Sequence, residues 1–194
     1  MGVIDREHLH VEARSEWRAW LASHHASSPG VWLVSWKAST GRPAVGYDDA
    51  VREALCFGWV DSQNRSIDAE RSAQLFTPRR SGSGWAGTNK RRIEELEAQG
   101  LMTDAGRALV DAAKADGTWT LLDGAEAGTV PEDLATALAA FPTARAAWDG
   151  FPEGVRRGML TWLVTAKRAE TRARRVAEIA AEAAEGRRAG QWGR

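Results

Sequence analysis

Residues 57–78 read FGWVDSQNRSIDAERSAQLFTP, and this stretch decides the fold that the sequence predicts. Residues 59–67 alternate in a way that is typical of a strand with one polar face, and residues 73–77 have the pattern of its hairpin partner. Residues 31–36 are β-branched and aromatic, which predicts a further strand. We therefore expect a small antiparallel sheet in the N-terminal part of the chain.

Helices are predicted on both sides of this sheet in sequence. Trp17, Trp20, Leu21 and His24 recur at helical spacing before the strands. After residue 89 the helical pattern dominates, and the Gly-rich, acidic stretch 121–130 is the best boundary. The predicted class is α+β: a small antiparallel sheet with N-terminal helices, followed by a helical C-terminal half. The predicted regions are an α+β domain at 1–120, a helical region packed on it at 121–186, and a frayed tail at 187–194.

The composition excludes several classes of protein. The chain has 194 residues, with 26 basic and 26 acidic side chains and no net charge, which is typical of a globular protein and counts against a main role in nucleic-acid binding. No apolar run is long enough for a membrane span, and residues 1–10 lack a secretory pattern. We therefore expect a cytoplasmic protein. The single cysteine, Cys56, excludes an internal disulfide.

The predicted hairpin also suggests a binding site. Side chains alternate along a strand, so Trp59, Asp61, Gln63 and Arg65 are expected on one face. An aromatic plate beside polar groups favours a small-ligand pocket, closed by the segment that follows. A solvent-facing edge of the sheet is the alternative, and most of the ten tryptophans are expected in the core. The candidate ligand-binding residues are Trp59, Asp61, Gln63, Arg65, Phe76, Thr77, Arg79, Arg80, Trp85 and Asn89.

A second cluster, in residues 166–175, is strongly basic. Thr171 is expected to cap a helix whose first turn is cationic, which opposes the helix dipole. The cluster predicts either an anion-binding site or pairing with the acidic middle segment, 101–151. The candidate anion-binding residues are Lys167, Arg168, Arg172 and Arg175.

The sequence carries no strong catalytic signature. It has no nucleophile elbow, phosphate-binding loop or dinucleotide fingerprint. His8 and His10 fall in a predicted tail, while His24 and His25 point in different directions on a helix. Nothing near Cys56 in sequence would lower its thiol pKa. We expect no metal, no cofactor and no catalytic residue.

Several of these blocks together resemble a known family. Residues 57–61, 76–80 and 83–85, with Asn89, look like the core of the YdeI/OmpD-associated family, also called bacteriocin-protection proteins. Residues 166–175 are similar to its closing segment. The resemblance extends over about residues 15–186 and implies a role in protecting bacteria against bacteriocins or antimicrobial peptides. It implies no reaction or cofactor.

We therefore expect a non-enzymatic protein that confers resistance by sequestering an antimicrobial compound or bacteriocin in a Trp-lined cleft. Its partner would be a small-molecule or peptide antimicrobial ligand. Two alternatives stay open. One is a hydrolase-like or transferase-like enzyme that uses Asp61 as acid or base, with Arg79 or Arg80 stabilising an anion. The other is a nucleic-acid module that uses the basic patches at 79–92 and 156–175.

Overall fold

The computed structural model describes residues 6–193, which form two compact units. Unit 1 contains the chain up to Ser83 together with Thr88–Asp116, and unit 2 contains Gly84–Gly87 together with the chain from Gly117 onward. The boundary at 120/121 stays a prediction, and the segment 84–87, which falls in the first predicted region, belongs to unit 2 in this division. The first five residues of the stretch predicted to lack a secretory signal lie outside the described residues.

Unit 1 combines a four-stranded sheet with helices. Its elements are β1 (His8–His10), α1 (Arg14–His24), β2 (Val31–Trp36), α2 (Tyr47–Cys56), β3 (Trp59–Ser66), β4 (Arg71–Pro78), α3 (Gly87–Ala98), which begins in the 84–87 segment, and α4 (Asp104–Asp116). The strand order is β1-β2-β4-β3. The predicted hairpin and third strand are antiparallel, but β1 runs parallel to β2, so the sheet is mixed. The sequence did not predict β1 because three residues carry too little pattern.

A β-bulge interrupts the pairing of β3 with β4. Asp61 pairs with Phe76, whereas Asn64 pairs with Gln74, so three steps along β3 oppose two along β4. The extra residue reverses the alternation of every β3 side chain beyond it. We call the face that carries Phe76 and Gln74 the inner face and the opposite one the outer face.

The inner face is covered by α1 and α2. The indole ring of Trp17 lies 5.3 Å from the ring of Phe76, and its Nε1 donates a hydrogen bond to the carbonyl oxygen of Ala50. Trp20 meets Trp59 edge-on, with 5.7 Å between ring centroids. This aromatic packing fixes both helices on one side of the sheet.

Two glycines allow unit 1 to close. Gly58 adopts a φ of +74°, which lets the chain turn from α2 directly into β3. A Cβ atom at Gly106 would lie 2.3 Å from the carbonyl oxygen of Cys56. Only glycine therefore lets α4 approach the end of α2 so closely.

Unit 2 is helical in its described part. Its helices are α5 (Asp123–Glu126), α6 (Glu132–Ala139), α7 (Ala144–Gly150), α8 (Glu153–Val164) and α9 (Ala169–Ala184). The core includes Trp148, Met159 and Leu163, none with accessible surface. Helical spacing predicts Met159, Trp162 and Leu163 in the core, and it is wrong for Trp162, which is only partly buried against this cluster. The sheet in the N-terminal half and the helices in the C-terminal half confirm the α+β class.

The tail predicted to fray is folded where it is described. Ala189 is buried, and the backbone N–H of Gly190 donates to Glu178 Oε1 at 3.2 Å. Trp192 meets the ring of Trp162 edge-on. The apolar Ala189 and Trp192 side chains supply the burial that a frayed end lacks, so the prediction for 187–194 is wrong for the residues described.

Candidate functional site

The aromatic side chains of the predicted cleft are core residues of unit 1. Trp59 is 1% exposed, and its Nε1 donates to the carbonyl oxygen of His25 at 3.1 Å. Phe76 has no exposed surface. A ligand would have to displace the packing of α1 to touch either ring. The hydrophobic pattern that suggested a pocket wall belongs to the core.

The bulge also divides the predicted polar face. Asp61 lies on the inner face, whereas Arg65 pairs with Ala73 and lies on the outer face, with its guanidinium 4.0 Å from the ring of Trp32. Gln63 is exposed within the bulge. The expectation that Trp59, Asp61, Gln63 and Arg65 share one face is therefore wrong, because it assumed an unbroken period of two.

A cavity of about 650 Å³ lies on the inner face, beside the segment 37–46 and the first turn of α2. Such a volume is typical of small-molecule sites. The strand pairings place six lining side chains on one floor, two from each of three strands. They are Leu33 and Ser35 of β2, Ser72 and Gln74 of β4, and Asn64 and Ser66 of β3.

Part of this floor is polar and unpaired. The side chains of Ser35, Ser72 and Asn64 have no hydrogen-bond partner among residues 6–193. Leu33, together with Val45 and Ala50 from the surrounding segments, supplies an apolar part of the lining. The cavity can therefore surround an apolar group and still offer hydrogen bonds to a polar one.

Asp61 is outside the lining but forms hydrogen bonds with two of its side chains. Its Oδ2 accepts a hydrogen bond from the Tyr47 hydroxyl at 2.8 Å and from Gln74 Nε2 at 3.3 Å. Burial raises the pKa of Tyr47, and the hydrogen bond and charge of Asp61 raise it further. Asp61 thus orients the wall of the cavity without lining it.

Two cationic side chains stand at the rim of the cavity. The Lys37 ammonium donates to Ser66 Oγ at 2.9 Å and to the carbonyl oxygen of Asp68 at 2.7 Å. The Arg42 guanidinium lies 4.3 Å from the Trp36 ring, and its Nη1 is 3.4 Å from Glu70 Oε2. The rim therefore combines positive charge with an aromatic surface.

The other predicted ligand residues are scattered. Arg79 and Thr77 are partly buried in unit 1, and burial lowers the pKa of Arg79 to about 10. Arg80 is exposed. Asn89 Oδ1 accepts a hydrogen bond from Arg92. None of these residues lines the cavity.

Trp85 belongs to unit 2. It is buried, with its ring 5.2 Å from that of Trp119. The predicted cleft combines residues 59–80 of unit 1 with Trp85 of unit 2. A binding site formed by both groups of residues stays a prediction.

The predicted anion-binding cluster is partly neutralised within unit 2. Arg172 forms two hydrogen bonds with the carboxylate of Asp133, at 2.7 and 3.0 Å, as expected for pairing with the acidic middle segment. Arg175 donates to the carbonyl oxygen of Trp162 and stacks on its ring. Lys167 and Arg168 are exposed, and Arg168 rather than Thr171 occupies the N-cap of α9.

A buried ion cluster holds α1 to α2 and is a structural feature. Glu53 is 2% exposed and accepts hydrogen bonds from Arg14 Nε and Arg18 Nη1, both at 2.5 Å. Burial raises the pKa of the neighbouring Cys56 thiol, which weakens it as a nucleophile. Within residues 6–193, no three His, Cys, Asp or Glu side chains are placed to hold a metal ion.

The sequence contained signals for part of the missed lining. Gln74 and Ser72 lie two and four positions before Phe76 on a strand, so an apolar Phe76 on the inner face already places both beside it. Tyr47, the one tyrosine of the chain, begins α2. Asn64 and Ser66 had no such signal, because the bulge alone turns them inward.

Comparison with known families assigns both parts of the chain. Residues 9–109 match a family model described as "Domain of unknown function (DUF8412)", which is 101 of the 194 residues. The chain belongs to the DUF8412 family. Residues 127–186 of this DUF8412 protein match a second model, described as "Bacteriocin-protection, YdeI or OmpD-Associated". No curated protein and no solved structure matches the chain.

The family resemblance predicted from the sequence is thus confirmed, with a smaller extent. It holds over 127–186, whereas the blocks between residues 57 and 89 fall within the DUF8412 match. The cavity lies in the DUF8412 part. None of the helices within residues 6–193 is long and apolar enough to cross a bilayer.

Proposed function

We propose that this DUF8412 protein binds a small organic molecule in the inner-face cavity and protects the cell by sequestering it. One observation carries the proposal: a cavity of about 650 Å³ presents both apolar surface and polar side chains that have no hydrogen-bond partner in the described part of the chain. Unpaired polar groups next to apolar surface are what a specific small-molecule site provides. The description of the model matched at 127–186, bacteriocin protection, supports a protective role against an antimicrobial compound or peptide.

The proposal differs from the sequence expectation in the position of the site. Tyr47 and, at the end of the sheet, Trp36 contribute the aromatic residues of the lining, rather than Trp59. Asp61 keeps a role, because it holds Tyr47 and Gln74 in place. We propose a cytoplasmic location, where an intracellular ligand would be captured.

The test is a cavity-filling substitution. Ser35→Leu adds an apolar side chain to the floor and removes no hydrogen bond of the described structure. Ser81→Leu, in an exposed loop outside the cavity, is the matched control. We expect amphipathic antibiotics and short antimicrobial peptides, titrated by calorimetry, to bind the wild type and Ser81→Leu and to lose affinity for Ser35→Leu. Equal affinity in all three proteins would move the site elsewhere.

The same titration examines the two alternative functions. Mass spectrometry of the recovered ligand would reveal a reaction, and loss of that reaction in Asp61→Asn would favour the enzyme. Retention on heparin that falls steeply with salt would favour nucleic-acid binding. The pairing of Arg92 with Asp48 and of Arg172 with Asp133 leaves fewer unneutralised cations for phosphates.

A further inference from the structure

We infer that the molecule held in the inner-face cavity is an organic anion: an apolar body that carries a carboxylate or phosphate group. The inference rests on the proposed function and specifies the chemistry of its ligand. Its basis is the sign of the charges around the cavity. Among the described residues, the lining contains Lys37, Arg42 and Arg65 and no Asp or Glu.

The three cations do not contribute equally. Arg65 has its guanidinium on the outer face, against Trp32, so only its backbone and stem reach the cavity. The Arg42 guanidinium is likewise stacked on an outer-face ring, that of Trp36, which pairs with Arg71, so Arg42 reaches the cavity only at the end of the sheet. Lys37, bonded to Ser66 of the inner face, therefore supplies most of the charge of the cavity.

Both of these side chains have capacity left for an anion. Lys37 forms no ion pair among the described residues, since its two acceptors are a hydroxyl and a carbonyl oxygen. The Arg42 guanidinium stacks on Trp36 through its flat surface and meets Glu70 at 3.4 Å, with both side chains of that pair about half exposed. A stacked guanidinium keeps its in-plane N–H groups free for a bidentate oxyanion.

The carboxylate of Asp61, which is bonded to two lining side chains, does not reverse this charge pattern. Asp61 is outside the lining, and its Oδ2 already accepts hydrogen bonds from Tyr47 and Gln74. Lys37 and Arg42 line the cavity and Asp61 does not, which favours a negative charge on the ligand.

The floor accounts for the rest of the ligand. Leu33, Val45 and Ala50 surround the apolar body, while Ser35, Ser72 and Asn64 offer neutral hydrogen bonds. A bare inorganic anion would leave the apolar part of the cavity unused. An apolar compound without charge would leave the Lys37 ammonium without a counter-ion among residues 6–193.

The experiment uses four probes that share one ring system: 2-naphthoate, 2-naphthyl phosphate, 2-naphthamide and 2-naphthylmethylammonium. Calorimetry gives their affinities, and NMR shifts of the Asn64 and Gln74 amides show whether they bind in the cavity. We expect an oxyanion to bind about tenfold or more tightly than the amide, since hydrogen bonds between charged groups exceed neutral ones. The stronger of the two oxyanions identifies a carboxylate or a phosphate as the natural group.

Charge-removing variants connect the preference to the rim. Lys37→Gln and Arg42→Gln should each weaken oxyanion binding several-fold and leave the amide almost unaffected. Arg91→Gln removes the same charge from an exposed position on α3 and should change neither. Tyr47 gives an independent readout, because tyrosinate absorbance in this chain has one source. A bound oxyanion should raise the pKa of Tyr47 further, and a bound ammonium should lower it.

Two results separate the inference from the proposed function. If the amide or the ammonium bound in the cavity as tightly as the oxyanions, the site would stand and the inference would be overturned. If no probe shifted the Asn64 and Gln74 amides, both would be refuted.

Discussion

Replacing Trp59 with alanine separates a core residue from a ligand-binding one. The indole is 1% exposed, packs edge-on against Trp20, and donates one hydrogen bond to His25. Loss of a fully buried tryptophan costs about 3–5 kcal/mol. Single domains have only about 5–15 kcal/mol in total, so Trp59→Ala should remove a large fraction of the stability of unit 1.

Two further variants separate the contributions of ring burial and of the N–H donor to stability, and distinguish both from ligand binding. Trp59→Phe keeps most of the buried ring and removes the N–H donor, which should cost about 1–2 kcal/mol. Trp36→Ala removes a half-buried ring at the cavity rim, so it should cost less stability and weaken the binding of 2-naphthoate. The two tryptophans should therefore affect different measurements.

The assay is urea unfolding followed through the amide NMR signals of β4, which report unit 1 alone. Binding of 2-naphthoate is measured on the same samples in the absence of urea. A loss below about 1 kcal/mol for Trp59→Ala, together with weaker binding in Trp59→Phe, would contradict the reasoning. Trp59 would then line a site, as the sequence first suggested.

Three other changes have defined outcomes. Asp61→Asn should lower the raised pKa of Tyr47, because it removes the charge of Asp61, while burial still raises that pKa, as tyrosinate absorbance in a pH titration would show; an unchanged pKa would exclude the hydrogen bond. Glu53→Gln should cost about 2 kcal/mol in urea unfolding, because two arginines lose a buried partner but keep access to water; a neutral effect would show that the cluster is dispensable. The hydrogen bonds from Arg172 lower the pKa of Asp133. This pair therefore stabilises unit 2 fully at pH values above 3.8, the ordinary carboxyl pKa, and the stabilisation is lost as the pH falls through the lowered pKa. Asp133→Asn should lower stability at neutral pH and flatten its decline in acid, with Glu132→Gln, an exposed carboxylate on the same helix α6, as the control; parallel melting curves for the two variants would rule out the pair.

The secondary structure of this chain was predictable where the hydrophobic periodicity of a segment and the glycine or proline residues at its ends indicated the same limits. Strands β2, β3 and β4 lie within a residue or two of their predicted limits, because Gly58 and Pro78 mark the ends of the hairpin. The strand β1 escaped prediction, since its pairing with β2 depends on tertiary contact rather than on its own residue types.

The binding site was much less predictable. A strand pattern assigns alternate residues to opposite faces of the sheet. The bulge between Asp61 and Asn64 adds one residue, so the residues beyond it lie on the face opposite to the predicted one. Gln63 and Arg65 were therefore expected where Asn64 and Ser66 stand. No residue type in this segment marks the extra position, because a bulge without glycine has no strong sequence signature.

The segment Gly84–Gly87 has a consequence for the order in which the protein is made. Its Trp85 packs against Trp119, while all of Thr88–Asp116 lies between them in the chain and belongs to unit 1. During synthesis, Trp119 emerges only after the whole of Thr88–Asp116, so the contact between Trp85 and Trp119 forms after the last helix of unit 1 has been made. This order favours sequential folding from the N-terminal side. Cleavage at the 116/117 junction would release the chain from Gly117 onward without Trp85. A fragment that begins at residue 117 would therefore be an incomplete domain.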